Sequence, residues 1–264
     1  MFENILIGQY IEGNSPIHRL SAVTKLIMTI IFAAAVFAAD KPVPILLAII
    51  LTLTFIRLAG LKLSIILKST KYIIFLAFFT FIFNAVLTGG ERIVGFGNLN
   101  VTKEGVLIGT LCAVRLVILV WSAAVLTLTT RPLDMTDAVE DLLSPLSKFN
   151  VPVSDIAVMM GLTLRFVPTL GLEAQRISDA QKSRCADFGG GSIIKRAKAA
   201  LPLIIPLLAG TFRHSDALAE AMDARCYGSH KRTRMRNKKP GKIDLYAAII
   251  FGAAAAVLIG VEFI

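Results

Sequence analysis

Charge is scarce in this chain. Only 17% of its 264 residues are Asp, Glu, Lys or Arg, whereas 55% are hydrophobic. A water-soluble domain carries about a quarter charged residues, so an ordinary soluble enzyme or binding module is a poor fit. Acids are the scarcer sign: 18 Asp and Glu stand against 28 Lys and Arg, a formal net charge of +10. Cysteine is scarce too. Of the 3 cysteines, Cys112 falls in an apolar block, and Cys185 and Cys226 fall in basic segments. No disulfide framework is suggested by an odd number so placed. The sequence has no Gly-x-x-x-x-Gly-Lys-Ser/Thr run, so no nucleotide is expected to bind this chain, and no cofactor is expected in it. The period-two alternation of an outer-membrane barrel is missing. No signal peptide with a small-residue cleavage site opens the sequence, and insertion through its own first helix is expected.

What is there is apolar residues in blocks, with a mean hydropathy of +0.72. Blocks of about 20 apolar residues cross a bilayer as helices. They fall at 20–39, 43–59, 72–88, 102–130 and 245–263. Asp40-Lys41-Pro42 separates the first two. A short polar hairpin is expected where Gly89-Gly90-Glu91-Arg92 and residues 95–100 follow the third. Thr102 with Glu104 makes a good helix start for the fourth. The cations Arg57, Lys62, Lys68 and Lys71, with no acid among them, mark a cytoplasmic segment, and the balanced loop of Glu91, Arg92, Lys103 and Glu104 an external one. Residues 131–243 carry most of the cations and are then cytoplasmic. The excess of positive charge points to cytoplasmic loops and anionic lipids, not to nucleic acid. Stretches 153–172 and 197–212 are apolar enough to be taken for spans. Crossing both would place Arg176, Lys182, Arg184, Lys195, Arg196 and Lys198 outside, and the first holds Arg165 and Pro168. Long cytoplasmic or interfacial helices fit better. The fold expected is all-α: a polytopic membrane protein with about five transmembrane helices plus long cytoplasmic helices. The divisions are a four-span membrane domain over 1–130, a cytoplasmic helical domain over 131–243 and a last transmembrane helix over 244–264.

The cytoplasmic region contains an internal echo. Asp179-Ala180-Gln181-Lys182-Ser183-Arg184-Cys185 resembles Glu220-Ala221-Met222-Asp223-Ala224-Arg225-Cys226. In both an acid precedes the arginine by five residues, Ala follows the acid, and small residues flank the arginine: Ser183 and Cys185 in one, Ala224 and Cys226 in the other. Each ends a helical pattern, with Gly189-Gly190-Gly191 after one and Gly228 after the other. An arginine at a helix carboxyl end is favoured by the dipole alone. Its repetition suggests two similar receptors, each offering a carboxylate to a bidentate guanidinium.

Other residues support different chemistry. Asp137 and Asp141 form a D-x-x-x-D pair, and Asp216 with Glu220 a second acidic pair. Intramembrane prenyltransferases hold magnesium and diphosphate with such pairs, which makes that the alternative enzyme reading. Asp134 and Asp137 also simply suit the start of a helix after Pro132. Cys185, Cys226, His214 and His230 lack zinc-ligand spacing. His18 reads as a surface or interfacial side chain. Arg115 lies inside the fourth span, where an arginine needs a partner, and Asn84 in the third span is the candidate. No inverted repeat of spans suggests a free-standing carrier.

The two arginines resemble the paired Ala-Arg-Gly-type motifs of the EcfT/CbiQ family, the membrane T components of energy-coupling-factor (ECF) transporters. Gly8-Gln9-Tyr10, Ser15-Pro16-Ile17-His18-Arg19-Leu20 and Lys25 are similar to the family's opening. Thr129-Thr130-Arg131-Pro132-Leu133 resembles the passage from the fourth span into a coupling helix. Leu164-Arg165-Phe166-Val167-Pro168 with Glu173, and Ser215-Asp216-Ala217-Leu218-Ala219-Glu220-Ala221-Met222, match further stretches. The departure is Cys185 and Cys226 where the family usually has Gly. The resemblance implies that 131–243 forms coupling helices and that two ABC ATPase subunits, alike or different, each take one tip, Arg184 or Arg225. It implies a membrane S component that binds a vitamin or metal ion, with ATP bound by the ATPases and this chain itself non-catalytic. It also implies the bacterial or archaeal plasma (inner) membrane, and the charge asymmetry with five spans sets the expected orientation, amino terminus inside and carboxyl terminus outside.

Overall fold

The computed structural model describes residues 10–13, 15–89, 91–96, 99–186, 192–228 and 241–263. It is helical, with one two-stranded ribbon. In order the elements are α1 (Pro16–Arg19), α2 (Ala22–Ala38), α3 (Pro42–Leu58), α4 (Leu63–Ser69), α5 (Lys71–Leu87), β1 (Arg92–Phe96), β2 (Leu99–Thr102), α6 (Lys103–Thr129), α7 (Pro132–Leu143), a 3-10 turn (Ser144–Phe149), α8 (Val153–Ser183), α9 (Ile193–Asp223) and α10 (Lys242–Phe263). The chain forms two compact units, one of Gly8–Asp141 with Lys238–Ile264 and one built on Leu142–Asn237.

The expected spans are α2, α3, α5, α6 and α10. By length and composition, α6, the Ile243–Val261 part of α10, and α8 are long and apolar enough to cross a membrane. The 17 residues of each of α2, α3 and α5 give about 25 Å at 1.5 Å per residue, at the lower limit for a span. Local chemistry sets the helix ends. Ser21 accepts a hydrogen bond from the Thr24 N–H at the start of α2, and Thr102 accepts one from the Gly105 N–H at 3.1 Å at the start of α6. Pro42 opens α3 at the position where its missing N–H costs nothing. The hairpin expected before the fourth span is present, β1 pairing antiparallel with β2 from Phe96 opposite Leu99 back to Arg92 opposite Thr102.

The core of the larger unit joins α2, α3, α6 and α10 through Phe32, Val36, Ala48, Ile118, Phe251 and Leu258. Phe251 packs on Phe55 with ring centroids 4.4 Å apart and edge-on to Phe32 at 5.8 Å. A second cluster of Ile17, Ile56, Leu61, Ile66 and Leu128 closes the end near α1 and α4. Helix α6 meets α5 backbone to backbone. A Cβ on Gly105 would lie 2.7 Å from the Asn84 carbonyl oxygen, and one on Gly109 2.8 Å from that of Phe81. Gly105 and Gly109 form a G-x-x-x-G pair, the spacing that lets membrane helices approach closely.

Arg115 corrects the expected pairing. Its guanidinium donates to the Ala39 carbonyl and bridges Asp40 at 3.0 Å, both at the α2–α3 turn. Asn84 instead donates to the Thr80 carbonyl of its own helix. The long arginine side chain reaches a helix end where a carboxylate and a free carbonyl wait, a better ion partner than an amide on the neighbouring helix.

Candidate functional site with two capped helix tips

In the smaller unit, α8 and α9 pack on each other. Ala174 and Ser178, one turn apart on α8, are buried, and Glu173 of α8 lies against Gly210 of α9, where a Cβ would sit 2.7 Å from its Oε1. Arg184 lies 11 residues beyond that approach and Arg225 15 residues beyond it, about 16 Å and about 22 Å along the helices at 1.5 Å per residue.

Each tip is closed by the same pair of hydrogen bonds. At the end of α8, the Ala186 N–H donates to the Gln181 carbonyl at 3.0 Å and the Cys185 N–H to the Lys182 carbonyl at 2.9 Å. At the end of α9, the Tyr227 N–H donates to the Met222 carbonyl at 3.0 Å and the Cys226 N–H to the Asp223 carbonyl at 2.9 Å. This is the Schellman cap, which needs a left-handed residue just past the helix. That residue is Cys185 with φ 62° in one tip and Cys226 with φ 55° in the other. In both, the arginine occupies the position immediately before the left-handed residue.

The helix stops thus fall on the cysteines, not on the glycines expected to end the pattern. Gly189, Gly190 and Gly191 lie outside the described residues, and Gly228, also at positive φ, follows a helix already ended. The usual Gly at the third motif position was the available signal, because glycine is the residue that reaches left-handed φ without strain.

Ser183, Arg184, Cys185, Ala224, Arg225 and Cys226 are all exposed. The acids upstream do not pair with the arginines. Asp179 bridges Lys182 at 3.2 Å, and its carbonyl accepts from the Ser183 hydroxyl. Glu220 contributes its backbone carbonyl to the Ala224 N–H. Among the described residues, neither arginine has an ion pair within the chain, so both guanidinium forks face outward. Arg165 is exposed in the first half of α8, 19 residues before Arg184. Arg115 belongs to the other unit.

The opening motif has a structural role that its sequence did not reveal. The Nε2 of His18 donates to the Ile11 carbonyl at 3.0 Å, which leaves Nδ1 to accept from the Ser15 hydroxyl at 2.6 Å. His18 is thus a brace and not a bare surface side chain. The Ile11 N–H in turn donates to the Leu128 carbonyl at the end of α6. Arg131, just past α6, stands over the Tyr10 ring at 5.3 Å and bridges Glu12 at 3.4 Å. Its pKa is raised above the ordinary arginine value, first by a hydrogen bond to Tyr10, with the charges of Tyr10, Glu12 and Asp134 adding. Lys25 is buried and donates to the Thr129 carbonyl at 2.8 Å.

Asp137 and Asp141 lie on α7, and each already interacts within the molecule. Among the described residues, no group of three His, Cys, Asp or Glu side chains is placed to hold a metal ion. His230 lies outside the described residues.

Comparison with known proteins places this geometry in context. The cobalt transport protein family CbiQ matches residues 13–235. An energy-coupling factor transporter transmembrane protein EcfT of Ruminiclostridium cellulolyticum is 41% identical over 93% of this chain and 92% of its own length. The EcfT of Acidaminococcus fermentans is 39% identical over 98% of this chain and 97% of its own. That of Streptococcus equi is 42% identical over 89% and 88%.

Proposed function

The chain belongs to the EcfT/CbiQ family of energy-coupling-factor transporter membrane components, and from that we propose that it is the non-catalytic coupling subunit of an ECF-type ABC importer. Arg184 enters a groove of one ABC ATPase subunit and Arg225 a groove of the other. Each meets a carboxylate there. Movement of the ATPases on binding ATP displaces the tips, and α8 and α9 carry that displacement to an S component holding a vitamin or metal ion. In this reading 131–243 is the cytoplasmic coupling domain in a bacterial or archaeal inner membrane, the amino terminus is inside and the carboxyl terminus outside.

The observation that carries the reading is the duplicated tip: the same cap, the same arginine position and an outward guanidinium in each. A plain helix-terminal charge has no need for a matched copy. The apolar side chains that α8 and α9 leave exposed, among them Met159, Leu172, Ile204 and Phe212, suit a membrane partner.

The test is recovery of ATPase subunits with the Arg184→Ala/Arg225→Ala variant, beside cargo uptake in vesicles. Loss of both, with ATPase activity of the free nucleotide-binding pair intact, is expected. Wild-type recovery and uptake would reduce the arginines to ordinary terminal charges. The native thiols test the topology. In a Cys112→Ser background, a membrane-impermeant maleimide should label Cys185 and Cys226 in inverted vesicles stripped of ATPases but not in intact cells. Labelling from outside would overturn the cytoplasmic placement.

A further inference from the structure

We propose that a cavity among α2, α3, α6 and α10 holds one acyl chain of an anionic phospholipid, with its headgroup on Arg19 and Arg57. The cavity measures about 370 Å³, within the roughly 300–1,000 Å³ of small-ligand pockets. Its wall is hydrocarbon: Met28, Phe32, Phe55, Val125, Leu126 and Phe251.

The polar residues in the wall point to a hydrocarbon ligand as well. Thr29 donates to the Lys25 carbonyl at 2.8 Å, Thr52 to that of Ala48 at 2.8 Å, Ser122 to that of Leu119 at 2.7 Å and Thr129 to that of Val125 at 2.8 Å. Lys25 Nζ donates to the Thr129 carbonyl. Each of these groups bonds its own helix or a neighbouring one, so a polar ligand finds few partners here. An apolar cavity of this kind stays dry, and in a bilayer the apolar molecule at hand is a lipid tail. The rim is open on Leu58, Ile243, Tyr246 and Ile250, all exposed.

Charge selects the headgroup. Arg19 adjoins the lining residue Leu20, Arg57 adjoins the lining residue Leu58, and both arginines are exposed. The acid beside Ile243 offsets them only in part, one carboxylate against two exposed arginines. Asp244 is buried, its two oxygens taking the Ser21 N–H at 2.7 Å and the Gly241 N–H at 2.8 Å. Cations at this edge attract anionic lipid. The occupant is independent of whether the arginine tips dock ATPases.

The experiment uses the full chain with whatever subunits accompany it, purified in mild detergent, stripped of lipid and titrated with phosphatidylglycerol or with phosphatidylcholine of the same chains. Native mass spectrometry reads the retained lipid. One phosphatidylglycerol per chain is expected at concentrations where phosphatidylcholine is not retained. Ala247→Phe fills the cavity and should abolish retention, and Ser122→Leu, a milder filling from α6, guards against a misfolded first variant. Arg19→Gln and Arg57→Gln should each weaken retention about fivefold. Equal retention of the two lipids overturns the headgroup assignment. Undiminished retention in both filled variants overturns the cavity, as does lipid that binds only after an accompanying subunit is removed.

Discussion

At the end of α8 the arginine is preceded by Lys182 and Ser183, and at the end of α9 by Asp223 and Ala224. The backbone does not register the difference: carbonyls, amides and left-handed residue coincide in the two tips. The side chains do. Lys182 is bridged to Asp179, whereas Asp223 is exposed two residues before Arg225. Two residues after Arg184 comes Ala186, and two after Arg225 the larger, exposed Tyr227. The common part of the two tips is therefore the part that aims a guanidinium, and the variable part is the rim around it. Such a division suits two receptors that share a pocket for the guanidinium and differ at its edge.

The largest effect should come from erasing what the tips share. With both arginines replaced by alanine, ATPase recovery and uptake should be lost altogether. Single replacements rank next. Removing one partner of a desolvated charge pair costs about 2–5 kcal/mol, so each single alanine should weaken the complex by roughly one to four orders of magnitude. Arg184→Glu should be worse than Arg184→Ala, through like-charge repulsion. Arg184→Lys should recover only part, because lysine lacks the bidentate fork. Affinity of the ATPases for detergent-solubilised protein is the readout. Equal and small losses at both positions would break the comparison.

A smaller effect probes the rim. Asp223→Lys gives the second tip the character of the first. An exposed charge of this kind is worth about 0.2–1 kcal/mol, up to about fivefold in affinity. Binding at the Arg225 tip should tighten by that amount at low salt, and the gain should shrink as salt rises. A change that ignores salt would mean that Asp223 acts through the cap and not through its charge.

Much of the larger unit was legible because its signals are local. Apolar blocks bounded by Asp40-Lys41-Pro42, by Gly89 and by Thr102 placed α2, α3, α5, α6 and α10 within a few residues of their ends. The partner of Arg115 was not legible. Choosing Asp40 over Asn84 depends on how far α6 runs past the α2–α3 turn, a tertiary fact. The same holds for Lys25 on Thr129, for Asp244 on Ser21 and for the His18 brace, all made between segments distant in sequence or in a loop without periodicity. The Gly105–Gly109 contact was written in the sequence as G-x-x-x-G but lay hidden inside a block read only for length. At the tips the arginines were legible by repetition. Their cap was not, since cysteine is no ordinary marker of a left-handed turn.

That last point gives the smallest and most specific effect. Cys185 and Cys226 hold a backbone conformation that costs an L-residue about 1–2 kcal/mol. Glycine escapes that strain but loses more backbone freedom on ordering, about 0.5–1 kcal/mol. The balance favours glycine by up to about 1.5 kcal/mol, or about tenfold in the opening equilibrium. Cys185→Gly should therefore slow hydrogen exchange at the Ala186 amide, the donor of the longer cap bond, and Cys226→Gly should do the same at Tyr227. Alanine in either place keeps a Cβ in the same strained conformation, so Cys185→Ala and Cys226→Ala should leave exchange unchanged. ATPase binding should survive all four substitutions, because the arginine and its exposure are untouched. If glycine and alanine behave alike at exchange, the left-handed cap is not what holds the tips. If glycine and alanine at one position both lose the ATPases, the thiol itself belongs to the contact.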